Sequence, residues 1–183
     1  QLSKGEYYAK YTGSGMAGCA VTVKKLSHND DYIISARIKQ ISGAENQGYG
    51  IMLGQKDMKN FYAFTIARQG QAAIYEFSKG VYHTIENWKK IEISPNGLEQ
   101  WNELSIHKKD GEWVFILNGN VIHKTVAREF YGEGLGVIMN TEMELSIDSL
   151  VVNQKEIESE KVSIKSILEQ PLVYTSTFDT QKR

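Results

Sequence analysis

Leu104-Ser105-Ile106-His107-Lys108-Lys109-Asp110-Gly111-Glu112-Trp113-Val114-Phe115-Ile116-Leu117-Asn118-Gly119-Asn120-Val121-Ile122-His123-Lys124 reads as three short strands joined by two tight turns. Asn118-Gly119 is the stronger turn signal. Both central residues of a type I′ turn need positive φ, which Asn and Gly tolerate, and this turn matches the twist of paired strands. Lys109-Asp110-Gly111 turns the chain in the same way between the first strand and the second. Alternation within Trp113–Leu117 puts Trp113, Phe115 and Leu117 on one side, the expected core side.

The same grammar runs outward in both directions. Upstream, period-2 runs occur at Ala20–Lys24, Tyr32–Lys39, Tyr49–Leu53, Asn60–Ile66, Ala72–Phe77 and Val81–Ile85. Turn residues separate them, notably Arg68-Gln69-Gly70-Gln71 and Ser78-Lys79-Gly80. Downstream, Leu135–Met139 and Glu144–Val152 continue the series. No stretch of residues 18–152 has a sustained 3.6-residue apolar period, so a doubly wound α/β fold, which needs helices between strands, is excluded. Many short strands at this spacing predict an all-β fold of two antiparallel sheets, a β-sandwich of jelly-roll type.

Composition agrees. The chain has 183 residues, which suits one domain with a substantial core. Its 21 Lys+Arg nearly balance its 22 Asp+Glu, which argues against a nucleic-acid partner. No apolar run approaches the about 20 residues of a membrane-spanning helix. The single cysteine, Cys19, is expected to be a buried strand residue. No cofactor is implied.

The region after residue 152 differs. Residues 153–171 are charged and lack a clean period, and read as a linker closed by Pro171. Residues 172–183 contain Leu172-Val173-Tyr174-Thr175-Ser176-Thr177-Phe178-Asp179, which predicts one more strand. The domain plan is therefore a sandwich over 1–152, a linker over 153–171 and an extra strand over 172–183.

A family resemblance rests on Gly48-Tyr49-Gly50-Ile51, Asn60-Phe61-Tyr62-Ala63-Phe64-Thr65-Ile66, Gly70-Gln71, Ile74-Tyr75, Trp88, Asn102–Ile106, Gly111, Phe115–Gly119, Gly134-Leu135-Gly136-Val137 and Ile147–Val152. This series resembles bacterial concanavalin A-like lectin/glucanase sandwich domains, the laminin-G-like modules appended to larger proteins. The resemblance spans roughly residues 6–152. It implies a fold that hosts lectins, glycanases and pure interaction modules, and so it implies no single function. Such domains usually open with a strand ending in Phe-Asp or Phe-Asn, and this chain begins past that point, at Glu6-Tyr7-Tyr8. The strand expected at 172–179 either fills that slot, within the molecule or in a neighbour, or begins a further repeat.

Retaining glucanases of this fold carry Glu-x-Asp-x-x-Glu on one strand. Here Glu142, Glu144 and Asp148 share parity, but Ser146 breaks the spacing. They are expected to form a solvent-facing acidic stripe, with Met143, Leu145 and Ile147 inward. The four histidines, His28, His83, His107 and His123, are scattered singly, so no metal site is predicted. Asn29-Asp30-Asp31 is expected to serve a turn. There is no Gly-x-Ser-x-Gly elbow, and Gly13-Ser14-Gly15 follows no parallel strand.

Sugar recognition uses an aromatic face against a pyranose ring. Trp88 falls outside clear alternation and is the expected exposed indole. In Asn60–Ile66, Phe61, Ala63 and Thr65 point one way, and Tyr62, Phe64 and Ile66 the other; which is core stays open. Trp88, Tyr62, Tyr75 and His83 form the candidate ligand-binding set. The expectation is a non-catalytic binding module of a bacterial protein that is periplasmic, surface-bound or secreted, with glycan as its ligand. Alternatives are a protein-interaction or spacer module in a tandem array and an atypical glycoside hydrolase.

Overall fold

A computed structural model describes residues 2–3, 6–24, 26–91 and 100–154. Among these residues, thirteen strands follow in order: β1 (Leu2–Ser3), β2 (Glu6–Tyr11), β3 (Met16–Thr22), β4 (Tyr32–Gly43), β5 (Gly48–Asp57), β6 (Asn60–Ala67), β7 (Gln71–Ser78), β8 (Val81–Lys90), β9 (Asn102–Lys109), β10 (Glu112–Leu117), β11 (Asn120–Val126), β12 (Gly134–Asn140) and β13 (Met143–Gln154). They form a seven-stranded sheet, β1-β2-β13-β4-β9-β10-β11, and a six-stranded sheet, β3-β12-β5-β6-β7-β8. All pairings are antiparallel. This is the β-sandwich that the strand pattern predicted, and no helix occurs among the described residues.

The hairpins form where the turn residues place them. Asn118 and Gly119 take φ of 48° and 80°, Asp110 and Gly111 take 51° and 79°, and Lys79 and Gly80 take 53° and 81°. Each pair is the double positive-φ signature of a type I′ turn. Asn118 also ties its turn to the start of the neighbouring strand β9: its Oδ1 accepts from the Glu103 backbone N–H at 2.8 Å, and its Nδ2 donates to Asn102 Oδ1 at 3.0 Å.

Alternation decides the core. Tyr32, Ile34, Ala36 and Ile38 of β4 are buried, as are Leu104 and Ile106 of β9 and Trp113, Phe115 and Leu117 of β10. They meet Tyr49, Ile51 and Leu53 of β5, Tyr62, Phe64 and Ile66 of β6, and Leu135, Val137 and Met139 of β12. Burying each such large side chain contributes about 1.5–3 kcal/mol. Trp113 is fully buried, and its indole N–H donates to the Tyr32 hydroxyl at 2.7 Å, which satisfies a polar group that would otherwise be costly there. Cys19 lies on the inner side of β3, and burial pushes its thiol up from the ordinary range, the signature of a packing cysteine.

Several boundaries differ from the sequence expectation: β3 begins at Met16 rather than Ala20, and β4 and β5 run on to Gly43 and Asp57. β13 runs on through Asn153 and Gln154, which pair with Ile33 and Tyr32 of β4. β8 extends to Lys90 and takes in Glu86–Lys90, because register shifts opposite Ala72–Tyr75 break the period there. The expected linker beyond Gln154 and the expected strand at 172–179 lie outside the described residues.

Candidate functional site

The two faces of the six-stranded sheet carry different chemistry. Tyr62, Phe64 and Ile66 turn into the inter-sheet core. Phe61, Ala63 and Thr65 turn outward, which settles the choice that alternation left open. A second apolar cluster therefore covers the outer face: Met52, Phe61, Ala63, Ala73, Tyr75 and Ile138, with Met16, Ala20, Met58, Phe77 and Trp88 packed against it.

Its floor is made of small residues. Gly18, Gly136, Gly48, Gly50, Ala63, Thr65, Ala67 and Ala73 succeed one another across the register of β3, β12, β5, β6 and β7. Large side chains lie across this floor. Tyr75, on β7, brings its hydroxyl to 3.5 Å from Asn140 Oδ1 on β12. Trp88, on β8, reaches β5: its Cη2 stands 2.9 Å from where a Cβ on Gly48 would be. Tyr82 lies against Tyr75 with ring centroids 5.2 Å apart, and Phe61 stacks on Phe77 at 5.1 Å. The edge strand β8 thus presents Tyr82, which is 45% exposed, and the half-buried Trp88 on one surface.

Of the four candidate residues, Trp88 and Tyr75 come together on this face. Tyr62 does not. It is buried between the sheets, edge-on to Trp113 and stacked on Tyr131, and its hydroxyl donates to the Glu129 carbonyl at 2.9 Å. His83 is exposed but pairs with Glu76, so its side chain leaves the opposite side of β8 from Tyr82 and Thr84. Tyr75 is itself buried, and acts as the bed on which Tyr82 rests rather than as a contact surface. Sequence reasoning missed Tyr82, Phe77, Phe61 and Asn140. The shared parity of Phe61 with Thr65, and of Tyr75 with Phe77, was the available signal.

The seven-stranded sheet is polar outside. Glu144 accepts from Lys10 Nζ at 2.7 Å and from the Tyr8 hydroxyl at 2.7 Å. These hydrogen bonds, Lys10 first, hold its carboxyl down to about 2. Asp148 pairs with Arg37 at 3.2 Å. Met143, Leu145 and Ile147 alternate inward beneath this acidic stripe. A general acid in glycoside hydrolysis needs its pKa raised, so Glu144 is shifted the wrong way for that role. Trp101 lies over the cations of Arg37 and Lys39, at 4.8 and 4.5 Å from its ring centroid.

Asn29-Asp30-Asp31 is tied into its turn. Lys108 Nζ donates to the Asp30 carbonyl at 2.9 Å, and Asp31 Oδ1 accepts from the Asp110 N–H at 3.2 Å. Among the described residues, no group of three or more His, Cys, Asp or Glu side chains could hold a metal ion.

Fold and face together define a jelly-roll β-sandwich whose six-stranded sheet carries an aromatic outer surface. No family model matches the sequence, and no curated protein does. Solved structures share the fold. Carbohydrate-binding module CBM66 from Bacillus subtilis superposes with a TM-score of 0.58 at 12% identity, over 77% of this chain and 96% of that one. Galectin LEC-6 of Caenorhabditis elegans gives 0.54 at 16% identity, over 84% and 99%. The GH43 protein BlXynB of Bacillus licheniformis gives 0.55 at 13% identity, over 77% of this chain but only 31% of that chain.

Proposed function

We propose that this chain is a non-catalytic carbohydrate-binding module of the concanavalin A-like type, carried by a bacterial surface or secreted protein. The observation that carries the reading is the outer face of the six-stranded sheet. There the edge strand β8 carries Tyr82 against the Tyr75 ring and, further along, Trp88 over Gly48, beside a floor of glycine, alanine and threonine. An indole and a phenol offer flat apolar area at low entropic cost, with a polar tip on each ring, which suits the mixed surface of a pyranose. Thr84 and Asn140 supply hydrogen-bonding groups beside them. The fold relatives named as a carbohydrate-binding module and as galectins support the same ligand class. The pairing of Glu144 and Asp148 with cations favours binding over catalysis on the acidic stripe.

The test is a glycan array probed with the whole chain, followed by titration of the best ligand against Trp88→Ala and Tyr82→Ala. Each substitution is expected to weaken binding by about tenfold or more, the equivalent of roughly 1.4 kcal/mol. Val126→Ala, on the far edge strand β11, is expected to leave affinity unchanged. A glycan that binds Trp88→Ala as tightly as the parent chain would remove the outer face from consideration.

A further inference from the structure

The edge of a sheet presents backbone N–H and C=O groups that another strand can pair with, and folds ordinarily blunt their edges. Among the described residues, three of the four sheet edges carry such a device. β1 is two residues long. β8 carries Glu86, Lys89 and Lys90, and its register against β7 shifts. β11 carries Lys124, and its ladder with β10 is interrupted between Phe115 and Ile116. β3 has none of these. Met16-Ala17-Gly18-Cys19-Ala20-Val21-Thr22 contains no charge and no proline, keeps unbroken register with β12, and pairs with no described strand on its other side. The ladder fixes which groups face that side. The Val23 N–H donates to the Glu133 carbonyl at 2.9 Å, and the Thr141 N–H donates to the Gly15 carbonyl, both in register with the β3–β12 pairs. Opposed residues of antiparallel strands alternate between hydrogen-bonded and non-hydrogen-bonded pairs. Ala17, Cys19 and Val21 therefore turn their backbone groups to β12, and Met16, Gly18, Ala20 and Thr22 turn theirs to the open edge.

We propose that this edge is a dimer interface, in which β3 pairs antiparallel with β3 of a second copy of this chain about a two-fold axis at Cys19. The strand is its own complement in that register. Met16 faces Thr22, Gly18 faces Ala20, and Cys19 faces Cys19. The edge-facing groups of Met16, Gly18, Ala20 and Thr22 all gain partners, and no charge leaves water. Both side-chain surfaces continue across the junction. Cys19 and Val21 stay on the core side, and Met16 and Ala20 stay with the apolar cluster outside. The pairing stands without the sugar reading. To that reading it adds bivalence, because a two-fold axis perpendicular to the sheet leaves both outer faces on the same side of the dimer.

Sedimentation of the whole chain under reducing conditions, from about 1 μM to about 100 μM, is expected to show a dimer. Ala20→Pro removes an edge-facing N–H that β12 does not use, and proline is tolerated at such a position. It is expected to weaken dimerisation by about tenfold or more while the β-sheet circular dichroism is kept. Should that signal be lost, Thr22→Lys replaces it. Thr22 is already exposed, and the charge would lie against Met16 of the second copy. Cys19 supplies a reading of the register. It is the one cysteine of the chain, so any disulfide joins two copies. Facing residues of a non-hydrogen-bonded pair have Cα atoms about 4.5 Å apart, within the span of a disulfide. Diamide, which accepts the electrons and protons of the two thiols, is expected to cross-link the parent chain through Cys19 and the edge variant far less. A monomer over the whole concentration range would overturn the proposal and leave the edge to a strand of the same chain or of a different partner. A dimer that resists both substitutions and forms no Cys19 disulfide would also overturn it, since its interface lies elsewhere. Because no sugar is involved, either outcome leaves the glycan reading to its own test.

Discussion

Trp88 on β8 stands against Gly48 on β5, its ring crossing the two strands between them, with Cη2 2.9 Å from the place a Gly48 Cβ would occupy. The contact exists because Gly48 has no side chain and because Thr65 and Ala73 beneath the ring are small. Gly48→Ala should therefore push the indole off its seat. The backbone at Gly48 is not of positive φ, so the cost is overpacking alone, about 1–2 kcal/mol. In a Trp101→Phe background the emission should move to the red as Trp88 gains water, while the buried Trp113 stays as it is. If the candidate site is correctly placed, glycan affinity should fall with it. An unchanged emission spectrum would show that Trp88 does not depend on this seat.

The acid arm of the stability curve should carry a signature of Glu144. Its carboxyl is held at about 2 in the folded chain by Lys10 and Tyr8, against an ordinary value of 4.5. A carboxyl depressed by folding contributes stability that is fully present above its unfolded value and is lost as pH falls toward its folded one. The loss should run from pH 4.5 down to about 2. Urea midpoints measured across that window should fall less steeply for Glu144→Gln than for the parent chain.

The alkaline arm belongs to buried tyrosines. Burial raises Tyr32, Tyr62 and Tyr75 well above the ordinary phenol range and pushes Tyr49 up to about 12. A phenol whose folded pKa is raised contributes stability that is present below its unfolded value, near 10, and is lost as pH rises toward the folded one. Tyrosinate absorbance should rise in two steps, the exposed phenols first and the buried four together with unfolding. Four phenols titrating without loss of the β-sheet circular dichroism would contradict their placement.

Asn118→Ala probes the hairpin that decided the fold. Asn118 holds φ of 48° and accepts the Glu103 N–H at 2.8 Å. Alanine tolerates that φ poorly and offers no acceptor. A loss of about 1–2 kcal/mol is expected by chemical denaturation. Asn118→Gly, which keeps the backbone and drops the acceptor, should lose less.

Trp113→Ala should be the most damaging of these changes, at about 3–5 kcal/mol, because it empties a fully buried site and strands the Tyr32 hydroxyl. Trp88→Ala, on the outer face, should cost clearly less, and the thermal midpoints of the two variants compare them directly.

Local rules made the architecture legible. Asn118-Gly119 and Asp110-Gly111 favour positive φ whatever surrounds them, and alternation in Tyr32–Lys39 or Trp113–Leu117 sorts one face from the other along a single strand. The face toward the core and the strength of turns are properties of a few adjacent residues, so they survive in the linear chain. The candidate site did not survive as well. Both sides of Asn60–Ile66 are apolar, so alternation separates Tyr62 from Phe61 without saying which meets the other sheet. Trp88 follows register shifts in β8 that no local pattern announces, and Tyr82 faces its way only because of its partner Phe77 on β7. Tyr62 and His83 entered the candidate set as residue types and left it by orientation. The candidate face is assembled from strands up to about ninety residues apart, with Gly48, Tyr75, Trp88 and Asn140 on it, and their meeting is a consequence of strand order. Covalent neighbours decide turns and periods; strand order and packing decide which of two apolar faces becomes a surface.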